Sequence, residues 1–92
     1  MATDPNLPEI QLDANALYRE EVFTDRKAGT LRRLVPITVE GSDDTARDVL
    51  YSGQTQLLTP GGVLPLMFEI DAKSLPEALA KFPDAVKEAL EQ

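Results

Sequence analysis

The sequence contains no cysteine, no histidine and no tryptophan among its 92 residues. The first two absences remove thiolate nucleophiles, the imidazole that most often acts as a general base, and the usual ligands of zinc, iron and copper. Without cysteine, disulfides cannot supplement the core, and a chain this small without them suits a reducing compartment. We therefore expect no enzyme: no catalytic residue, no cofactor-binding residue and no metal site.

The sequence also lacks a long hydrophobic run and an excess of basic residues. Residues 1–13 hold prolines, acids and amides, so we expect neither a signal peptide nor a transmembrane segment, and a soluble cytoplasmic protein is the default. Nine Lys and Arg against sixteen Asp and Glu give a net charge of -7. This charge opposes binding to nucleic-acid phosphates or anionic lipid, so we expect no nucleic acid and no membrane as partners.

The order of segments predicts one domain with an N-terminal extension. Residues 1–15 are expected to form a flexible arm, because Pro5 and Pro8 oppose regular structure and few apolar residues are present. Residues 16–92 are expected to form a single α+β domain. Within it, β-forming residues predict strands over 16–24 and 30–40, and two further strands within 49–72 that meet at 59–62.

The segment 49–72 carries the strongest pattern in the chain. Large apolar residues occupy alternate positions there, as in a strand with one buried face: Leu64, Leu66, Phe68 and Ile70. The connection between the two strands predicts a type II turn, with Pro60 second and Gly61 third at positive φ. In the first hairpin, Gly29 is expected to take the left-handed conformation that closes a type I turn with a bulge.

The C-terminal segment changes to a helical period. Apolar residues recur at steps of three and four, which predicts an amphipathic helix: Leu75, Leu79, Phe82, Val86 and Leu90. Ser74 with Glu77 is typical of an N-terminal capping box. Because proline removes a hydrogen bond inside a helix, we expect a kink or a new helix start at Pro83.

These elements predict an α+β fold of the order ββββα, in which a four-stranded antiparallel meander has the C-terminal amphipathic helix packed on one face. One helix cannot cover both faces of a sheet. The second face is expected to be more apolar than a solvated face usually is, since it mixes Leu34, Pro36, Leu57 or Leu58, Pro65 and Met67 with Arg32, Thr38 and Glu69. The candidate interaction surface comprises Arg32, Leu34, Pro36, Pro65 and Met67.

Two charged clusters have competing interpretations. The basic group Arg19, Arg26, Lys27, Arg32 and Arg33 either grips a phosphate or an acidic partner, or pairs across the first hairpin with Glu20, Glu21 and Asp25; we favour the pairs. The acidic loop that contains Glu40, Asp43, Asp44 and Asp48 offers oxygen ligands to a hard cation. It lacks the EF-hand spacing, so we interpret it as a solvated loop with turn-forming aspartates.

Gly53 lies in the middle of a predicted strand. A glycine there marks either a close approach by another backbone or a bulky side chain, or an accommodation of strand twist. We favour twist, and a ligand groove beside Gly53 and Tyr51 stays an alternative.

Several segments together resemble a known group of proteins. They are Val22-Phe23-Thr24-Asp25-Arg26-Lys27, Gly29-Thr30, Val49-Leu50-Tyr51, Gly53-Gln54-Thr55-Gln56-Leu57 and Thr59-Pro60. In these segments the chain resembles a family of small uncharacterised bacterial cytoplasmic proteins, over roughly residues 20–90. The resemblance implies no activity, no cofactor and no site residues.

Three functions stay open after these exclusions. The favoured one is a small acidic non-enzymatic interaction module that forms a homodimer through the apolar second face or a strand edge, or that binds another protein. The second is a chaperone-like or peptide-binding role in which an extended segment joins a sheet edge, although Pro36 and Pro65 indicate that at least one edge is guarded. The third is an enzyme that uses carboxylates or tyrosine, which requires a pocket holding an acid of raised pKa.

Overall fold

A computed structural model describes residues 8–91 of the protein and confirms the predicted ββββα fold. The elements are β1 (Tyr18–Thr24), β2 (Gly29–Pro36), β3 (Leu50–Thr59), β4 (Gly62–Ile70) and α1 (Leu75–Leu90). Consecutive strands pair antiparallel in the order β1-β2-β3-β4, so β1 and β4 form the two edges of the sheet. Within residues 8–91, no helix is long and apolar enough to span a bilayer.

Strand β2 ends at Pro36, four residues earlier than the pattern of the segment 30–40 predicts. Proline has no N–H to continue the ladder, and the Pro36 carbonyl accepts a hydrogen bond from the N–H of Asp44 at 2.8 Å. Residues 37–49 therefore leave the sheet as a loop. The expectation that Thr38 and Val39 continue the strand is wrong.

The turn between β1 and β2 also differs from the prediction. The residue with positive φ is Arg26, at 62°, and not Gly29. Asp25 organises the turn, since its Oδ1 accepts hydrogen bonds from the N–H groups of Lys27 at 2.8 Å and Ala28 at 2.9 Å. Gly29 is required for a different reason: a Cβ there would lie 2.5 Å from the backbone carbonyl oxygen of Gln54 and 3.1 Å from Cζ of Phe82.

The turn between β3 and β4 joins strands that pair as far as Thr59 and Gly62, so the hairpin is confirmed. The predicted type II turn is wrong, because the positive φ of 124° falls on Gly62 and not on Gly61. The Thr59 hydroxyl donates to the Gly62 carbonyl at 2.7 Å and helps to close the connection.

The register divides the side chains of the sheet into two sets. The helix face, which α1 covers in part, consists of the odd-numbered residues of β1, β2 and β3 and the even-numbered residues of β4. The open face consists of the remaining residues of these strands. The buried hydrophobic core lies between the helix face and α1: Leu31, Tyr51, Ile70, Ala72 and Ala78.

Gly53 lies beneath two aromatic rings of this core. Phe68 and Phe82 meet edge to face, with centroids 5.3 Å apart, and a Cβ at Gly53 would lie within 3.0 Å of both rings. The close approach of bulky side chains, and not strand twist, accounts for this glycine. A ligand groove over Gly53 is ruled out, because the two rings occupy that space, whereas the buried Tyr51 lines a depression at the end of the sheet.

Helix α1 begins as predicted but presents a rotated face to the sheet. The Ser74 hydroxyl accepts a hydrogen bond from the Glu77 N–H, whereas the Glu77 carboxylate accepts from the N–H of Lys73. The helix continues through Pro83, which rules out a new helix start there. Ala78 is fully buried while Leu79 is 57% exposed, so that part of the predicted stripe is wrong. The small Ala78 side chain lets the helix lie close to the sheet.

The protein exposes more surface than a compact monomer of its size. Its accessible area is 7455 Å², whereas about 5,300 Å² is expected for a 10.1 kDa chain. The radius of gyration is 17.2 Å, against about 12 Å for a compact domain of this length. Residues 8–16 contribute, since nearly all are exposed and outside the sheet. The part of the predicted arm formed by residues 1–7 lies outside the described residues.

Candidate interaction surface

The predicted interaction residues all fall on the open face: Arg32, Leu34, Pro36, Pro65 and Met67. Their accessibility differs strongly along that face. Met67 is 73% exposed and Pro65 is exposed, Arg32 and Leu34 are half-buried, and Pro36 is fully buried. Of the two leucines left open by the sequence, Leu58 lies on this face and Leu57 on the other.

The Pro36 end of the open face is closed by the loop 37–49. Arg47 donates to the carbonyl oxygens of Leu17 and Ile37 at 2.9 Å each, and its Nε contacts Asp44 at 3.0 Å. The same guanidinium lies 4.9 Å from the centre of the Tyr18 ring. Arg47 thus ties the loop to both strands beneath it, so the buried Pro36 offers no free surface to a partner.

The hydrogen bond from Arg47, together with one from the N–H of Ala46, lowers the pKa of Asp44 below its ordinary value. Asp43, the neighbouring carboxylate, pairs with Arg19 at 3.0 Å. Within the described residues, no three acidic side chains come together in a group suited to a metal ion. Two carboxylates of the acidic loop, Asp43 and Asp44, therefore form ion pairs with Arg19 and Arg47 of the same chain.

The centre of the open face is polar and internally paired. Arg32 contacts Glu20 at 2.8 Å and donates to Gln54 at 2.9 Å, which links β1, β2 and β3. On the helix face, Arg33 pairs with Glu21 at 2.6 Å. This hydrogen bond lowers the pKa of Glu21 and, with Tyr51, raises the pKa of Arg33. Arg32 and Arg33 thus pair across the hairpin, as favoured from the sequence, and neither guanidinium is left free to bind a phosphate.

The second hairpin projects beyond the rest of the sheet. The pairing of β2 with β3 stops at Gly29 and Thr55, whereas β3 and β4 pair as far as Thr59 and Gly62. Residues 56–65 therefore form a two-stranded ribbon, which we call the hairpin arm. Leu58 is 89% exposed and Val63 is 55% exposed on its open-face side. Met67 occupies the next open-face position of β4 after Pro65.

Comparisons of the chain with protein-family models, curated proteins and solved structures find no match. Functional inference therefore rests on the surface itself.

The hairpin arm lies within the longest charge-free part of the chain. Between Asp48 and Glu69 there is no Asp, Glu, Lys or Arg, although charged residues make up 27% of the protein. In space, Arg26 and Lys27 of the first turn line a depression together with Leu58 and Val63. Exposed apolar residues with charged residues around them are typical of a protein interface, which has an apolar centre and a polar rim. The charge-free stretch was visible in the sequence, but its projection from the sheet depends on where β2 ends.

The two edges of the sheet differ in how they are protected. Pro65 lies in the edge strand β4, where it removes an N–H that another strand would need. Pro36 lies in the inner strand β2, so of the two prolines only Pro65 bears on the prediction that at least one edge is guarded. Strand β1 contains no proline but carries Arg19, Glu20 and Glu21, and such charges discourage pairing with another chain.

A wide depression lies at the end of the sheet beside loop 37–49. Its volume is about 930 Å³, and its lining includes Arg47, Asp48, Lys73 and Glu88. Both signs of charge are present in its lining. A smaller apolar groove of about 360 Å³ lies between the first hairpin and α1, where Phe23 and Leu79 face each other across it.

Proposed function

We propose that this protein is a small acidic non-enzymatic interaction module of the cytoplasm that associates with a second copy of itself. The observation that carries the proposal is the set of large apolar side chains left exposed on the open face and hairpin arm. Leu58 and Met67 are the most exposed of them, Val63 pairs with Leu58, and Val22 of β1 is exposed to about the same degree as Val63. Soluble monomers rarely leave such residues grouped together.

The exposed area supports the proposal in magnitude. The chain exposes roughly 2,000 Å² more than a compact monomer of its mass. A standard protein interface takes about 800 Å² from each partner. This excess includes the extended residues 8–16, which are all exposed, so it is an upper bound on the area that the fold leaves for an interface.

The small core supports it further. Two of the five buried hydrophobic residues are alanines, Ala72 and Ala78. A domain of about 90 residues buries little more than the minimum that stable folding requires. Burial of one Leu, Val or Met side chain contributes about 1.5–3 kcal/mol, so an interface that covers the exposed residues stabilises the fold as well as the dimer.

A second candidate is peptide binding by strand addition at β1. The observation that favours it is the free β1 edge. The N–H of Ile37 donates to the Leu17 carbonyl, so these two residues form a hydrogen-bonded pair. Hydrogen-bonded and non-hydrogen-bonded pairs alternate along an antiparallel ladder. The backbone N–H and C=O groups of Tyr18, Glu20 and Val22 therefore point away from β2. An extended peptide could pair there. The alternating charges of β1 place this candidate second.

The proposal is tested by the solution mass of the protein. Light scattering after size exclusion and sedimentation equilibrium are measured over a wide range of protein concentration. We expect a mass of twice 10.1 kDa, with a dissociation constant in the micromolar range or below, as an interface of standard size provides. A monomer mass at every concentration would refute self-association and turn attention to peptide binding at β1.

A further inference from the structure

We infer that two copies of the protein meet through their hairpin arms, with the open-face side of one arm packed on the same side of the other. This inference rests on the proposed self-association and specifies its contact. The two copies are related by a two-fold axis, so the same residues of each arm face one another.

The first argument is the shape of the hairpin arm. Beyond Thr55 the ribbon has two strands, and a two-stranded hairpin in water is marginally stable at best. Leu58 and Val63 pair directly across it, which places two exposed apolar side chains side by side on the open face. A second ribbon laid on this side would supply the missing layer.

The second argument is the distribution of charge. Two copies that each carry a net charge of -7 repel one another wherever charged surfaces approach. The segment between Asp48 and Glu69 is free of charge, and the charged residues that line a depression with Leu58 and Val63 are the basic Arg26 and Lys27. A contact made there therefore avoids the acidic side chains that give the net charge. The same net charge disfavours an anionic lipid surface as the occupant of the arm.

The third argument concerns the geometry of contact. Pro65 lies in the β4 half of the arm and interrupts the N–H groups that an added strand would need. Copies are therefore expected to pack face to face through side chains, and not to extend the sheet through β4. Gln54 and Gln56 lie on the same face at the base of the arm and offer uncharged hydrogen-bonding groups for the rim.

The test compares two valines that are matched in everything except position. Val63 is 55% exposed in the hairpin arm, and Val22 is 57% exposed on the open face of β1. Both lie in edge strands. We expect Val63→Glu to weaken dimerisation by at least about tenfold, because it buries a charge in the contact, and Val22→Glu to change it by less than about twofold. Circular dichroism of each variant verifies the fold.

A mixing experiment tests the symmetry of the contact. Val63→Glu and Val63→Lys are each expected to be largely monomeric at a concentration where the unsubstituted protein is dimeric. Since residue 63 of one arm faces the other arm, an equimolar mixture is expected to recover dimers by pairing opposite charges. Recovery also shows that the variants fold.

The outcomes separate the two proposals. If the unsubstituted protein is monomeric, self-association fails and the arm contact fails with it. If it is dimeric but Val63→Glu dimerises as tightly as Val22→Glu, self-association stands and the arm contact is overturned. If Val63→Glu is monomeric but mixing with Val63→Lys recovers no dimer, the symmetric arm-to-arm arrangement is overturned.

Discussion

Replacement of Gly53 by alanine tests how the sheet and helix pack together. The added Cβ would lie 2.8 Å from Cζ of Phe68 and 3.0 Å from Cε2 of Phe82, both closer than ordinary van der Waals contact. These rings already meet edge to face at 5.3 Å, so neither can move away without losing contact with the other. The extra methyl group must therefore push the helix outward or force the rings off their preferred rotamers.

The expected cost follows from comparable overpacking in well-packed cores, which is about 1–3 kcal/mol. We expect Gly53→Ala to lower the free energy of unfolding by about 2 kcal/mol, out of a total of roughly 5–14 kcal/mol for 92 residues. For a domain of this size, the corresponding fall in Tm is roughly 8–16 °C. Small changes elsewhere in the chain do not approach this value.

The assay is urea unfolding followed by circular dichroism at one fixed protein concentration, since the stability of a dimer depends on concentration. Gly61→Ala is the matched control, because a Cβ there meets nothing closer than 3.9 Å and the residue does not require positive φ. We expect it to change stability by less than about 0.5 kcal/mol. Phe82→Leu in the Gly53→Ala background should restore part of the loss. Equal effects of the two alanines would refute the packing argument.

Three further predictions concern capping, pH and salt. Ser74→Ala removes the hydroxyl that caps α1 and is expected to cost about 1 kcal/mol in urea unfolding, whereas Ser52→Ala, away from any helix end, should cost clearly less. The pKa values of Glu21, Asp25 and Asp44 are lowered in the folded state from their ordinary values of 4.5, 3.8 and 3.8. These carboxylates therefore stabilise the folded state fully above the ordinary pKa values, and this stabilisation is lost as the pH falls through the lowered pKa values. The Tm should therefore change little between pH 8 and 5 and decrease below about pH 4. Asp44→Asn should make this decrease of Tm with pH shallower, and an unchanged pH dependence of Tm would contradict the role of Asp44. Dimerisation of two chains of charge -7 should strengthen as salt rises from about 0.01 to 0.15 M, and sedimentation that shows weaker association in salt would contradict the charge argument.

Local chemistry determined most of the fold. The alternation of Leu64, Leu66, Phe68 and Ile70 specifies a strand with two distinct faces, and the order of periodic segments specifies ββββα. Ser74 begins the helix through a hydrogen bond to a residue three positions away, which neighbouring sequence suffices to encode. The turns were less predictable: Arg26 and Gly62, and not Gly29 and Gly61, have positive φ. Gly61 and Gly62 are adjacent and both tolerate positive φ, so pattern does not choose between them, whereas Arg26 takes positive φ in a turn that Asp25 organises.

In the candidate surface, too, some features follow from neighbouring residues and others depend on distant ones. Alternation placed Arg32, Leu34, Pro65 and Met67 on one face, because side chains two apart in a strand must share a face. Which of them stay exposed depends on distant parts of the chain. Arg47 and loop 37–49 close the end of the face that holds the buried Pro36. The Arg32 side chain is paired with Glu20 and hydrogen-bonded to Gln54. Partners separated by ten or more residues leave no local pattern.

The sequence by itself determined the period of each element, the two faces of each strand and the charge-free segment between Asp48 and Glu69, because all three are properties of neighbouring residues. Only the tertiary structure decided that the pairing of β3 with β2 stops at Thr55 and that residues 56–65 project as the hairpin arm. It also decided that α1 presents Ala78 to the sheet and leaves Leu79 exposed. The reason is that Phe82 packs on Gly29 and Gly53, which the chain brings together from three distant segments, and such packing leaves no local pattern in the sequence.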